Sequence, residues 1–191
     1  MTRFTLRPAS RPARRPSLRV GLASALALVA GMGAAQARDA ITIAMQLEPP
    51  HLDPTSAAAQ AIDQVVYTNI FEGLTRFMGD GSVVPGLAES WDISDDGLTY
   101  TFHLRKNAVW SNGDPLTAED FRWSWLRALD PVTAAEYAWI MYYVKGAQAF
   151  NKGKGSAEEV GVSAPDDFTL VVELENATPF FPDLTSFGFY M

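Results

Sequence analysis

From Leu98 to Leu104 apolar and polar residues alternate without a break: Leu98, Tyr100, Phe102 and Leu104 on one side, Thr99, Thr101 and His103 on the other. A period of two marks a strand buried on one face, so the chain must supply a sheet and something to cover it. Asp95-Asp96-Gly97, just upstream, is a turn signal, and Trp91-Asp92-Ile93 before it supplies the other arm of a β-hairpin. A second hairpin is predicted from Val160 to Ser163 and Phe168 to Leu174, turned at Pro165-Asp166-Asp167. The cover is predicted between the two. Thr117-Ala118-Glu119-Asp120 reads as a capping box with Asp in place of the usual Glu, and its acidic pair suits the positive end of a helix. Phe121, Ser124, Trp125, Ala128 and Leu129 follow at helical spacing until Asp130-Pro131 ends the run.

Around this centre the punctuation is dense. Ile41 to Met45 alternates as a short strand and stops at Glu48-Pro49-Pro50. Ile62, Val65, Val66, Asn69 and Ile70 mark an amphipathic helix from about Ala57 to Phe71, capped by Thr55 or Ser56. Gly73 to Val84 is expected to hold a strand and a turn at Gly79-Asp80-Gly81, broken by Pro85-Gly86. Val109-Trp110 reads as a short extended piece. Tyr137 to Phe150 is a second helical candidate, and a short helix is expected from Thr178-Pro179-Phe180-Phe181-Pro182. Phe187-Gly188-Phe189-Tyr190-Met191 has the character of an interrupted segment, so an incomplete chain is expected.

The first residues are of a different kind. Residues 1–38 hold seven of the 15 Lys+Arg and none of the 22 Asp+Glu. Arginines run to Arg19, Val20 to Gly33 is small and apolar, and Ala35-Gln36-Ala37 fits an A-x-A cleavage rule. This is the pattern of a secretory signal peptide, residues 1–37, with cleavage expected after Ala37. The apolar stretch is shorter than the ~20 residues that a membrane span needs. With no lipid-accepting cysteine, a soluble protein of the periplasm or exterior is therefore expected. The rest of the chain is strongly acidic, which disfavours nucleic acid and anionic membranes as partners.

The usual chemistries find little support. With Cys 0 there is no thiolate metal site, cysteine nucleophile or disulfide framework. His51 and His103 have no partner at metal-ligand spacing, so no metal and no cofactor are expected. Asp92, Ser94, Asp96 and Gly97 match part of a calcium loop, but His103 stands where a bidentate Glu is required, which favours a plain hairpin turn. The pairs Glu119-Asp120, Glu158-Glu159 and Asp166-Asp167 fall at caps or turns and read as solvated carboxylates. G-x-S-x-G, P-loop and G-x-G-x-x-G motifs are absent from the sequence, and no enzyme is expected. The aromatics remain: Trp110, Trp123, Trp125, Tyr137, Trp139, Tyr142 and Tyr143. Trp125 is read as core. The run Tyr137 to Tyr143 cannot face one way on a helix, so part of it is expected to line a ligand or partner surface.

Linked motifs then form a recognisable series. Leu47-Glu48-Pro49-Pro50-His51-Leu52-Asp53-Pro54 and Ile70-Phe71-Glu72-Gly73-Leu74 come first. Pro85-Gly86-Leu87-Ala88-Glu89-Ser90-Trp91 follows, then Tyr100 to Arg105, Trp110-Ser111-Asn112-Gly113 and Thr117 to Phe121. The series resembles the periplasmic solute-binding proteins of peptide ABC importers, family 5. The oligopeptide branch is nearest, because Leu129-Asp130-Pro131 leads into Thr133 to Ala138. The resemblance implies an α/β fold with mixed sheets and two lobes that close on a peptide and deliver it to an inner-membrane ABC permease. Residues 38–71 would be the first strand and helix of one lobe and 72–191 most of the accessory domain, the opposing lobe lying beyond. The resemblance also implies a monomer. It places Ser56, Ala57, Ala58, Ala59 and Gln60 along the peptide backbone, in an extended β-like mode, and turns Tyr137 toward the ligand cleft. The same architecture serves dipeptides, nickel chelates and sugars. A secreted hydrolase is the alternative of another class.

Overall fold

The computed structural model describes residue 53, residue 55 and residues 69–190. The alternating segment is a strand at the centre of a four-stranded antiparallel sheet. Its strands are β3 (Ala88–Ile93), β4 (Thr99–Leu104), β5 (Val162–Asp166) and β6 (Thr169–Glu173), in the order β3-β4-β6-β5. The alternation appears directly in burial: Tyr100, Phe102 and Leu104 are buried, while Thr99, Thr101 and His103 are only half so. β6 repeats the pattern with Leu170 and Val172 inward. Both hairpins form, and Gly97 takes a φ of 70° in the first turn, where a side chain is rarely accommodated.

The second turn differs from expectation. Pro165 and Asp166 belong to β5, and Asp167-Phe168 makes the turn, with Phe168 N–H donating to Asp166 Oδ1 at 2.9 Å. Pro165 lacks an N–H, and it lies in an edge strand where the register shifts between Ser163 and Asp166, so no ladder bond is forfeited.

The cover is helix α1 (Ala118–Leu129), which packs on β5 and β6. Its start is fixed in two ways. The Asp120 carboxylate accepts from Thr117 N–H at 2.7 Å and Thr117 Oγ1 at 3.0 Å, the expected reciprocal cap. Ala118 N–H donates to Asp167 O at 2.8 Å, which docks the helix on the hairpin turn. Phe121, Trp125, Ala128 and Leu129 are buried, as their spacing predicts.

Residues 147–190 add to the core. Short helix α2 (Ala147–Asn151) and α3 (Phe181–Leu184) bracket β5 and β6, and a 3-10 turn covers Gly188–Tyr190. Phe181 packs on Tyr100 and Phe102, at centroid distances of 5.2 and 6.3 Å. A two-stranded sheet, β1 (Thr75–Phe77) with β2 (Val83–Pro85), carries the turn predicted at Gly79-Asp80-Gly81. Pro85 ends β2 rather than breaking the chain before it, because a strand end asks no N–H of it. Thr75 Oγ1 donates to Pro182 O at 2.6 Å and ties this sheet to α3. Val109 pairs with Pro115 as a single bridge.

The predicted helix from Tyr137 to Phe150 is not one helix. Residues Ala138–Tyr143 form a 3-10 helix, Val144 makes an isolated bridge with Leu174, and α2 restarts after Gly146. Gly146 has a φ of 70°, outside helical space, so the run is cut there. Of the helix predicted from Ala57 to Phe71, Asn69 and Ile70 are helical. Phe71 is described and lies outside the helix, whereas residues 57–68 and the strand predicted at Ile41 to Met45 lie outside the described residues.

Candidate ligand-facing site

Tyr137 stands at the entrance of the 3-10 helix, after a loop that leaves α1 at Asp130. That loop is built on local bonds: Asp130 Oδ1 accepts from Val132 N–H at 2.8 Å, and Thr133 N–H donates to Asp130 O at 3.0 Å. Ala134, with φ 51°, reverses the path in the left-handed region. A 3-10 helix repeats every three residues, so Ala138 and Met141 fall on one side, and both are buried. Between them Ile140 is half-buried against the core, while Trp139 is turned outward. Trp139 is 57% exposed and lies 6.3 Å from the half-buried Tyr137 ring, and Tyr143 stands edge-on to Phe180 at 5.5 Å. The expectation that the aromatic run cannot all face one way is met by this division.

The segment is held firmly from behind. Tyr190 OH donates to Ile140 O at 2.9 Å. Burial holds the Tyr190 hydroxyl well above its ordinary pKa, so it stays a donor. Tyr142 OH donates to Asn151 Oδ1 at 2.6 Å, and Asn151 Nδ2 donates to Leu129 O at 2.8 Å. A relay of side chains thus links the aromatic turn to the last turn of α1.

The same last turn grips the chain near its other implied binding segment. Ser56 to Gln60 lie outside the described residues, but Thr55 directly precedes them. Thr55 N–H and Oγ1 both donate to Asp53 Oδ1, at 3.0 and 2.7 Å. Arg127 holds the other oxygen, Nη2 to Oδ2 at 2.6 Å, and Nη1 reaches Oδ1 at 3.4 Å. This fork, more than any other influence, holds the Asp53 carboxyl well below the usual carboxylate range, with Thr55 adding to it.

A pH dependence follows. A carboxyl whose folded-state pKa is depressed contributes stability that is present above its unfolded value and lost as pH falls through the folded one. The pair is therefore expected to be intact at the ordinary aspartate value of 3.8 and to open only in stronger acid. Carboxyl-carbon NMR titration checks this: Asp53 should show no midpoint near 3.8, and in Arg127→Ala its midpoint should move upward. Both side chains are more than a third exposed, so the effect on overall stability is small.

His103 and Asp96, both singled out in the sequence, are engaged in structure. His103 Nε2 is 2.8 Å from Asp92 Oδ2 across the β3–β4 pair. Asp96 accepts from Ser94 Oγ and Leu98 N–H within the turn, the hairpin arrangement favoured over a calcium loop. Among the described residues no group of three or more His, Asp or Glu converges as a metal site, and no helix is long and apolar enough to cross a membrane.

The model for bacterial extracellular solute-binding proteins, family 5, matches residues 82–191. The chain belongs to this family. Proteins of this description bind solutes. An oligopeptide-binding protein OppA of Bacillus subtilis is 45% identical over 161 residues, covering 84% of this chain and 29% of the relative. A dipeptide-binding protein DppE of the same organism is 44% identical over 139 residues, covering 73% of this chain and 25% of the relative. Among solved structures, the substrate-binding domain of an oligopeptide ABC transporter from Bacillus anthracis superposes with a TM-score of 0.70 at 47% identity. That match covers 73% of this chain and 27% of the other. The fold of this family member is thus the mixed α/β arrangement of the corresponding part of periplasmic binding proteins. The chain spans under a third of the length of the curated relatives it matches.

Two residues of the site escaped the sequence reading. Asp53 stood out only as part of the Leu47 to Pro54 motif, and Arg127 lies unremarked near the end of the predicted helix, where any cation is favourable. Nothing local connects residues 74 positions apart in the chain.

Proposed function

We propose that this protein is the periplasmic solute-binding component of an ABC importer and that it captures oligopeptides for an inner-membrane permease. The carrying observation is the family match over residues 82–191, together with 45% identity to a protein named for oligopeptide binding. On this reading residues 1–37 are a signal peptide cleaved after Ala37. Residues 38–71 open one lobe of a two-lobed binding protein, and 72–191 belong to its accessory domain. The protein acts as a monomer and performs no catalysis. Ser56, Ala57, Ala58, Ala59 and Gln60 pair with the backbone of an extended peptide, and Tyr137 faces it. The half-buried Tyr137, packed against the core and flanked by exposed Trp139, supports that role. The dipeptide-binding relative supports a second reading in which the ligand is shorter.

The test uses the mature product from the native host's periplasm. It is heated with a pool of unblocked tetrapeptides and, separately, with a pool of unblocked dipeptides. A ligand at 100 times its Kd stabilises by about 2.7 kcal/mol, which a thermal shift registers. The larger shift is expected with tetrapeptides, and peptides recovered afterwards should be intact. A larger shift with dipeptides selects the second reading. No shift with either pool overturns peptide capture, and cleaved peptides overturn the non-enzymatic reading.

A further inference from the structure

We infer that Asn112 is a site of spontaneous deamidation, and that Asp114 converts this change of chemistry into opening of the turn that carries it. Three turns in the described residues are built alike. In each a glycine with positive φ follows an Asp or Asn, at Asp80-Gly81, Asp96-Gly97 and Asn112-Gly113. The glycine N–H donates back to the carbonyl of Met78, Ser94 or Trp110, at 2.9, 2.8 and 2.8 Å. The Asp or Asn Oδ1 accepts from the N–H of Ser82, Leu98 or Asp114, each at 3.0 Å. The turns differ in one bond. Asp80 and Asp96 also accept from a hydroxyl, that of Ser82 or Ser94, which holds both carboxyls below the usual carboxylate range. Asn112 instead donates: its Nδ2 gives a hydrogen bond to Asp114 Oδ2 at 2.7 Å.

Asn112 is the one asparagine of the sequence that precedes glycine, and Ser111 to Pro115 are exposed. Gly113 has no Cβ to keep its nitrogen away from Asn112 Cγ. That nitrogen yields its proton to hydroxide, gives up its bond to Trp110 O and attacks Cγ. Asp114 N–H, already on Oδ1, stabilises the negative charge that develops there. The Cγ–Nδ2 bond breaks, and Nδ2 takes a proton from water and leaves as ammonia. The product is a cyclic succinimide. Water then opens its ring at Cγ, leaving aspartate, or at the main-chain carbonyl, leaving isoaspartate. The aspartate product sets a carboxylate against the Asp114 carboxylate, an acceptor where a donor stood and like charge against like. The isoaspartate product adds a carbon to the main chain inside the loop that the Gly113–Trp110 bond closes. Asp80 and Asp96 show that an aspartate suits this turn when a hydroxyl faces it, so the cost of the first product lies in Asp114.

The mature native product is aged at mildly acidic and mildly alkaline pH, both folded and in urea, and its peptides are mapped by mass spectrometry. Asn112 is expected to gain the mass of NH replaced by O, in aspartate and isoaspartate forms, and faster at alkaline pH. In the folded protein it should convert ahead of Asn107 and Asn176, which are exposed but precede alanine. It should convert more slowly than in urea, where the Gly113 bond is gone. An Asn112 that stays intact in the folded protein while the chain in urea converts overturns the site. Amide hydrogen exchange tests Asp114. Asn112→Asp is expected to speed exchange of the Trp110 and Gly113 amides about threefold, the size of effect that exposed charges exert. Asn112→Asp/Asp114→Ser should restore the unsubstituted rates, because a hydroxyl then donates as that of Ser82 does to Asp80. Unchanged exchange in Asn112→Asp, or equal acceleration in the double variant, overturns the role of Asp114.

Discussion

Trp125→Ala is expected to be the most damaging single substitution in the described part of the chain. Trp125 is 1% exposed, near the end of the buried stripe of α1. Its ring stands edge-on to Tyr190 at 5.1 Å, and its Nε1–H donates to Tyr190 O at 3.0 Å. Truncation removes the largest fully buried side chain among the described residues, opens a cavity beside Tyr190, and leaves a buried carbonyl without that donor. Loss of a core Trp costs about 3–5 kcal/mol, which for a domain of this size is a fall in melting temperature of roughly 10 °C or more. Trp125→Phe separates the contributions. It keeps most of the ring volume and gives up the hydrogen bond, so it should cost about 1–3 kcal/mol. Urea denaturation of both variants, followed by far-UV circular dichroism, reads the difference. Equal midpoints for Trp125→Ala and the unsubstituted protein would refute the packing argument. Tyr190 also holds Ile140, so loosening it should reach the aromatic turn.

The second large effect is expected at Gly146→Ala. Two costs coincide there. The residue sits at φ 70°, where a side chain costs about 1–2 kcal/mol. A Cβ at this position would also press on the backbone oxygen of Glu159, which cannot swing aside as a side-chain end would. The segment is locked by Lys145 N–H to Glu173 O at 2.9 Å and Gly161 N–H to Lys145 O at 2.8 Å, so relief by movement means surrendering contacts with β6. A loss of about 3 kcal/mol is expected from strain and crowding together. Gly153 provides the control. It has φ 67° but open space around its missing Cβ, so Gly153→Ala should cost only about 1 kcal/mol, the strain alone. Similar midpoints for the two variants in the same denaturation series would show that Glu159 yields and that crowding adds nothing.

These two residues mark the limits of what the sequence discloses. Trp125 was legible as core because its neighbours repeat at helical spacing, and the capping box and the alternation of β4 were legible for the same reason: each signal lies within a few residues. The cut at Gly146 was not, because a glycine within an apolar run is compatible with helix until a distant backbone, here that of Glu159, leaves no alternative. Pro165 was read as a turn residue on its usual preference, whereas its position in an edge strand made it acceptable inside β5. In the site, Tyr137 could be singled out by pattern, but not its fastenings. Tyr190 holds Ile140 and Asn151 holds Tyr142 in the turn that follows it, while Arg127 holds Asp53, across chain separations of 50, 9 and 74 residues, and only the folded chain brings such partners together.

The sheet order has a consequence for how this protein comes into being. β4 lies between β3, its immediate predecessor, and β6, which follows only after α1, the aromatic turn and α2. A growing chain can close the first hairpin early, yet the inner edge of β4 must wait while about 65 further residues emerge, some 3–13 s at ordinary ribosomal rates. Throughout that interval Tyr100 and Phe102 have neither Leu170 nor Phe181 beside them. Early fragments therefore offer an open strand edge and bare aromatic surface, which suits recognition by holdases and invites aggregation where these are scarce. The four-stranded sheet therefore cannot close until β6 has emerged.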